Sequence, residues 1–176
     1  MRSLFIVAVG ALGVFSLTGC GSGAAAGRYD VTVRLAESLK DPTDGSVPSL
    51  EVDLVGVNEA NKTTWIGKSM TRYFGGEDQL RADATKTTFV FDTGDSEPKT
   101  LERQDPKWDS WLDQGARELF VLVNLPGVRE DLPGDGDPRR MILPLARNRW
   151  EGRVLEIEIQ RSGLRLETKM NPDPKD

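Results

Sequence analysis

The chain has 176 residues, 38% of them hydrophobic, which is enough for one well-buried domain and little for two. Its 23 Lys and Arg against 28 Asp and Glu give a net charge of −5 and a pI near 4.9, which excludes general nucleic-acid binding, since phosphate neutralisation needs a clustered excess of cations. With no histidine and a single cysteine, Cys20, His-based triads, His-ligated zinc, an internal disulfide and a multi-thiolate metal site are all excluded. No cofactor is implied, and the domain must be held together by its core.

At the start of the chain, Arg2 precedes the apolar run Leu4–Phe15, too short to span a bilayer as a helix but of the length of a secretory signal's hydrophobic region. The run ends in Leu17-Thr18-Gly19-Cys20, which resembles the lipobox of bacterial lipoproteins. That resemblance implies cleavage between Gly19 and Cys20 and acylation of Cys20, palmitate included. Gly21, where the best-known hosts use Asp to retain lipoproteins at the inner membrane, implies the outer membrane, with the domain facing the periplasm. Several acyl chains, at about 0.8 kcal/mol per buried methylene, make such an anchor effectively permanent. Removal of residues 1–19 leaves 157 residues with a side-chain charge of 22 − 28 = −6, and an acidic domain is not expected to be drawn to an anionic bilayer. Residues 20–28, rich in Gly and Ala, read as a flexible tether, about 30 Å at full stretch for Cys20–Gly27 at roughly 3.5 Å per residue. Residues 169–176, with two prolines and no apolar periodicity, read as a disordered tail.

Between these ends, Tyr29–Leu35 alternates apolar and polar with period two, placing Tyr29, Val31, Val33 and Leu35 on one face of a first strand. Leu50–Leu54 repeats the alternation and continues through Val57. Thr87–Phe91 is short and β-branched or aromatic, and stops at the turn Asp92-Thr-Gly-Asp95. Leu119–Val123, apolar on both faces, predicts a central strand covered on both sides. In Met141–Leu145, Pro144 cannot donate a ladder hydrogen bond, which places the segment at an edge or a strand end. Arg153–Gln160 sets Leu155, Ile157 and Ile159 opposite Glu156, Glu158 and Gln160, and after Arg161-Ser-Gly163 the segment Leu164–Thr168 completes a terminal hairpin.

Two stretches predict helices. Thr64–Phe74 gathers Trp65, Ser69, Met70, Tyr73 and Phe74 near one side, with Gly75-Gly76 as a stop. A second helix, capped by Asp105 with Pro106 at its first position, carries Trp108, Trp111 and Leu112 and ends at Gly115. About seven strands with short helical insertions predict one mainly β domain, a sandwich over residues 29–168.

The order of these features resembles the VasD/TssJ-type outer-membrane lipoproteins of type VI secretion. After its first strand that family has a loop of the form Asn-Pro-Asp, a short gap, Gly, then Pro-Ser-Pro. Here the stretch from Asp41 to Leu50 matches at Pro42, Gly45, Pro48 and Ser49, with Asp41 in place of Asn and Leu50 in place of the last Pro. Leu50–Val57, Trp65–Phe74, Gln79–Asp83, Phe89–Asp95, Arg117–Val123, Arg140–Leu145 and the terminal hairpin follow in the family's order. The insertion Gln104–Gly115 and the loop Gly127–Pro138 depart from it. The resemblance implies a transthyretin-like (immunoglobulin-like) sandwich with a small helical insertion, a structural rather than enzymatic role, and a partner in the periplasmic region of a TssM/IcmF-like inner-membrane protein. It assigns Asp41, Pro42, Asp44, Gly45, Pro48 and Ser49 to a partner-binding loop; the plain alternative is that Pro, Asp, Gly and Ser are good turn formers.

Other constellations point less far. Asp131, Asp135 and Asp137 lack EF-hand spacing, with Ala146 at the twelfth place counted from Asp135, so a solvated surface loop is expected. Arg139, Arg140, Arg147, Arg149 and Arg153 read as alternating surface charge beside it. Trp108 and Trp111 form a secondary contact platform for sugar or protein if exposed and a core cover if buried, and their helical spacing favours inward packing. No Gly-x-Ser-x-Gly elbow or phosphate loop occurs, and Glu156 and Glu158 share one strand face as solvent-facing acids. Two rival classes stand beside the adaptor: a carbohydrate- or peptidoglycan-binding envelope lipoprotein using the two tryptophans, and a hydrolase with two acids facing each other in a cleft.

Overall fold

The alternating strands pair into two four-stranded sheets in the computed structural model, which describes residues 24–95, 97–128 and 130–172. The elements, in chain order, are β1 (Asp30–Leu35), β2 (Leu50–Val57), α1 (Glu59–Ile66), α2 (Met70–Tyr73), α3 (Gln79–Asp83), β3 (Lys86–Phe91), β4 (Lys99–Leu101), α4 (Lys107–Asp113), β5 (Glu118–Val123), β6 (Arg140–Pro144), β7 (Val154–Gln160) and β8 (Gly163–Leu166). One sheet has the order β4-β1-β7-β8 and the other β3-β2-β5-β6. Neighbouring strands are antiparallel except β1 and β7, which run parallel.

The sheets face each other over a core of Tyr29, Val31 and Val33 from the β1 side, Leu155, Ile157 and Ile159 from β7, and Leu50, Val52, Leu54, Leu119, Val121 and Val123 from β2 and β5. The doubly apolar β5 is central, as its pattern predicts. Its second face, Phe120 and Leu122, joins Val55, Val57, Trp65, Met70 and Tyr73 in a separate cluster where α1 and α2 cover the outside of the sheet. β6, with Pro144 at its end, lies at the edge.

α4 packs against β2 and plugs the sandwich where Val57 leaves it. Gly56 faces this plug, and a Cβ there would sit 2.5 Å from Trp111 Cβ, so only glycine lets the indole in. Trp111 Nε1 donates to the Thr85 carbonyl at 2.7 Å, and the Trp108 and Trp111 rings meet edge to face at 5.1 Å. Both rings are fully buried, so they cover the core and present no platform; the secondary contact role does not fit them.

Several expectations need correction. The single helix over Thr64–Phe74 is two helices: α1 begins earlier, because the Asn58 side chain accepts from Asn61 N at 3.0 Å, and stops at Gly67. Ser69 then caps α2 by accepting from Arg72 N. The Asp105 carboxylate does bond the next helix's first turn, accepting from Lys107 N at 2.7 Å, while regular helix starts at Lys107. β4 escaped the periodicity because it has one apolar residue; its pairing with β1 creates it. The tail is not free as far as it is described, since Met170 bridges Trp150 and Asn171 N donates to the Arg149 carbonyl at 2.8 Å. The tether is likewise held from Ala25 on, with Ala26 bridged to Ala146 and Gly27 N donating to the Leu145 carbonyl at 2.7 Å.

The hairpin turn yields one prediction. Gly163 has φ +134°, and a Cβ there would lie 2.6 Å from the Pro138 carbonyl oxygen and Cβ. Gly163→Ala is expected to destabilise the protein by about 2–4 kcal/mol through backbone strain and overpacking, measured as the shift in urea midpoint.

Candidate functional site

The loop between β1 and β2 is anchored at both shoulders. Ala36 N donates to the Ile159 carbonyl at 2.9 Å, Leu39 is buried after a short 3-10 turn, and Val47 is buried before β2 begins. Between these anchors the tip closes on itself: Asp41 N donates to the Ser46 carbonyl at 2.7 Å and Gly45 N to the Asp41 carbonyl at 2.8 Å. The two aspartates complete the turn, Asp41 Oδ1 accepting from Thr43 N at 2.7 Å and Asp44 Oδ1 from Ser46 N at 2.9 Å. Bonds from Ser46 hold the Asp44 carboxyl below its ordinary range. Gly45, at φ +72°, is the residue of this tip whose backbone demands glycine.

Of the six residues assigned to this loop, Asp41, Pro42, Asp44, Gly45 and Ser49 are exposed and Pro48 is half-buried. Glu37, Ser38, Lys40 and Arg161 join Asp41, Pro42 and Gly45 around a shallow cleft. Glu37, Ser38, Lys40 and Arg161 were not singled out from the sequence; the hairpin turn at Arg161, at the same end of the sandwich, is the signal for the last. The result is a self-bonded, exposed, polar tip that carries carboxylates. β1 runs from Asp30 to Leu35 between the N-terminal root and this loop, so the two lie at opposite ends, about 20 Å apart at roughly 3.3 Å per residue.

Two polar centres brace the surface next to this end. Asp53, fully buried on the helix-covered face of β2, accepts from Tyr73 Oη at 3.0 Å, Arg81 Nε at 2.8 Å and Thr88 Oγ1 at 2.6 Å. Arg81 also reaches Glu51 at 2.6 Å and stacks over Phe74 at 4.8 Å, tying α2 and α3 to the sheet. Burial, followed by the Asp53 charge, pushes the Tyr73 phenol far above its ordinary range. The visible signal was a lone aspartate between Val52 and Leu54.

The second centre corrects the expectation of a solvated acidic loop beside surface arginines. Arg139 and Arg140 are buried, as is Asp137. Arg139 binds Asp137 through Nε at 2.9 Å and Nη2 at 2.8 Å, and Asp131 through Nη2 at 2.6 Å. Asp131 also accepts from Ser69 Oγ and Thr71 N, at the start of α2. Arg140 donates to the carbonyls of Ile66, Lys68 and Gly134, joining the end of α1 to the loop. Asp135 alone of the three aspartates is exposed without such support, and no group of three or more His, Cys, Asp or Glu among the described residues is placed to hold a metal ion.

Burial pushes the Asp131 and Asp137 carboxyls up, but bonds from Ser69, Thr71 and Arg139 to the first, and from Arg139 and Leu132 to the second, outweigh it, holding Asp131 well below the carboxylate range and lowering Asp137. With folded values lowered, their contribution is complete above the unfolded value of about 4 and is lost as pH falls through the folded values. Urea midpoints are therefore expected to fall progressively from about pH 4 downward.

Glu158 pairs with Arg34 at 3.1 Å on the outer face of β7, where Arg34 also reaches Glu167 at 3.8 Å, and Glu156 is exposed beside it. Among the described residues no helix is long and apolar enough to cross a membrane.

No family model and no curated protein matches this sequence. Solved structures do resemble it. The type VI secretion lipoprotein TssJ1 from Pseudomonas aeruginosa is 14% identical, with 85% of this chain and 100% of that one covered at a TM-score of 0.50. Lip of Serratia marcescens, a membrane-bound component of the type VI secretion system, is 13% identical over 84% of this chain and 100% of its own, also at 0.50. The C-terminal domain of the type VI secretion protein TssM from EAEC is 14% identical over 78% and 98% at the same score. The chain therefore has the mainly β, two-sheet sandwich fold found in type VI secretion lipoproteins, as the loop motif and element order imply.

Proposed function

We propose that the protein is a lipid-anchored structural subunit of a type VI secretion membrane complex. Acyl chains on Cys20 fix it to the outer membrane with the domain in the periplasm, and the β1–β2 loop captures the periplasmic region of a TssM/IcmF-like inner-membrane partner. Gly19 and Cys20 lie outside the described residues, so the anchor rests on the lipobox pattern. The observation that carries the reading is the pinned, exposed tip at Asp41–Gly45, held at the far end from the tether root on a fold shared with secretion lipoproteins. Anchoring raises the effective concentration of the tip near its partner, so modest pairwise affinity suffices.

The test is affinity purification from cells of the detergent-solubilised protein, labelled with palmitate. The expected result is label on the wild-type chain, none on Cys20→Ser, and co-purification of an inner-membrane protein with a large periplasmic region. Recovery of cell-wall glycan alone would contradict the reading.

A further inference from the structure

We propose that the tether-root end of the sandwich is an orienting surface for anionic phospholipid headgroups, formed by Arg117, Arg147 and Arg153. This rests on the acyl anchor at Cys20 proposed above and adds a second, electrostatic contact with the same leaflet.

The three arginines surround the chain where it enters the fold. Arg147 N donates to the Ala25 carbonyl at 3.2 Å, Leu145 N to the Arg117 carbonyl at 2.8 Å beside the Leu145–Gly27 bond, and Asp30 N to the Arg153 carbonyl at 2.8 Å. The Arg153 guanidinium points back to the root, with Nη1 at 3.5 Å from the Arg28 carbonyl. All three residues are exposed, and none is ion-paired to a carboxylate among the described residues. The neighbouring cations are committed elsewhere: Arg28 to Asp109, Arg103 to Asp30 at 3.8 Å, and Arg149 Nε to the Asn171 carbonyl at 3.0 Å. Exposed acids do lie at the margin, Glu59 at the start of α1, Glu102 after β4, Asp113 at the end of α4 and Glu151 between Arg149 and Arg153, so this end is close to neutral overall, with the three unpaired arginines gathered where the chain enters.

The other end is acidic, with Arg161 as its one cation that no described carboxylate pairs. Glu37, Asp41, Asp44, Asp92, Asp95 and Glu97 cluster near the loop tip and the β3 turn, and Lys40 and Lys99 there are engaged by Glu37 and Asp95. The mature charge of −6 is thus concentrated at the tip, and the arginines around the chain's entry face the leaflet without a comparable excess of acid.

Distance selects the partner. With Ala25 held, only five residues from Cys20 to Ala24 remain as tether, about 18 Å at roughly 3.5 Å per residue. The root face therefore lies within a Debye length or two of the headgroups, while the acidic tip, about 20 Å further out, is screened. Guanidinium matches phosphate geometrically, and each cation near an anionic surface strengthens the contact about fivefold. Bound this way, the strands stand upright and the loop tip points away from the leaflet.

The experiment uses the intact acylated protein in vesicles of phosphatidylcholine or of equal parts phosphatidylcholine and phosphatidylglycerol, read by amide hydrogen exchange. In the anionic vesicles, exchange in peptides covering residues 24–30 and 145–153 is expected to slow about fivefold or more. The slowing should vanish in high salt, and in a variant carrying R117Q, R147Q and R153Q. Equal exchange in both vesicle types, with the protein anchored in each, would overturn the orienting surface while leaving the anchor intact. Protein that stays out of both vesicle fractions would overturn the anchor and the orienting surface together.

Discussion

Asp53→Ala is expected to lower the unfolding free energy by about 3–5 kcal/mol, the cost of breaking a buried ion pair by removing one partner. The Asp53 carboxylate is fully buried and takes three side-chain donors, Tyr73, Arg81 and Thr88. Its loss leaves the Tyr73 hydroxyl without an acceptor in an apolar cluster and leaves Arg81 only Glu51, which is 41% exposed. Tyr73→Phe removes one donor and keeps the ring packing against Trp65, so it should cost only about 1–2 kcal/mol. Urea unfolding of the two variants measures the contrast, and equal small losses would show that packing alone holds α2 and α3 to the sheet.

Arg139→Ala is expected to have a comparable effect, about 3–5 kcal/mol, because it strands the buried Asp137 and releases Asp131. The damage should also be local. Arg139 Nη1 and Nη2 approach the carbonyls of Val128 and Glu130, so one guanidinium holds the loop before β6 as well as the entry to α2. Amide exchange should therefore accelerate in residues 130–137 and 69–73 of the variant ahead of the core strands. Acid sensitivity below about pH 4 should also weaken, since Arg139 is the main group lowering Asp137 and one of several lowering Asp131.

The parts of the fold that repeat were legible in the sequence. Period-two alternation placed β1, β2, β7 and the hairpin, and the doubly apolar Leu119–Val123 identified the central strand, because burial on one or two faces writes itself directly into residue order. What stayed hidden depends on contacts far apart in sequence. The break at Gly67 is stabilised by Arg140, more than seventy residues away, and β4 exists through its partner β1. A run of Asp and Arg around position 135 looks like a charged surface until the fold folds Asp137 and Arg139 inward on each other. For the candidate site, the turn residues Asp41–Ser49 were visible as a motif, but the contribution of Arg161 needed the hairpin to arrive at the same end.

The proposed function places the loop tip, and not another face, against an inner-membrane partner. Site-specific photocrosslinking in living cells tests it most directly, with the crosslinking side chain placed at Thr43 in the exposed tip or at Glu156 on the outer face of β7. A crosslink from position 43 to an inner-membrane protein with a large periplasmic region, and none from position 156, is the predicted result. A crosslink to that protein from position 156 alone would contradict the account.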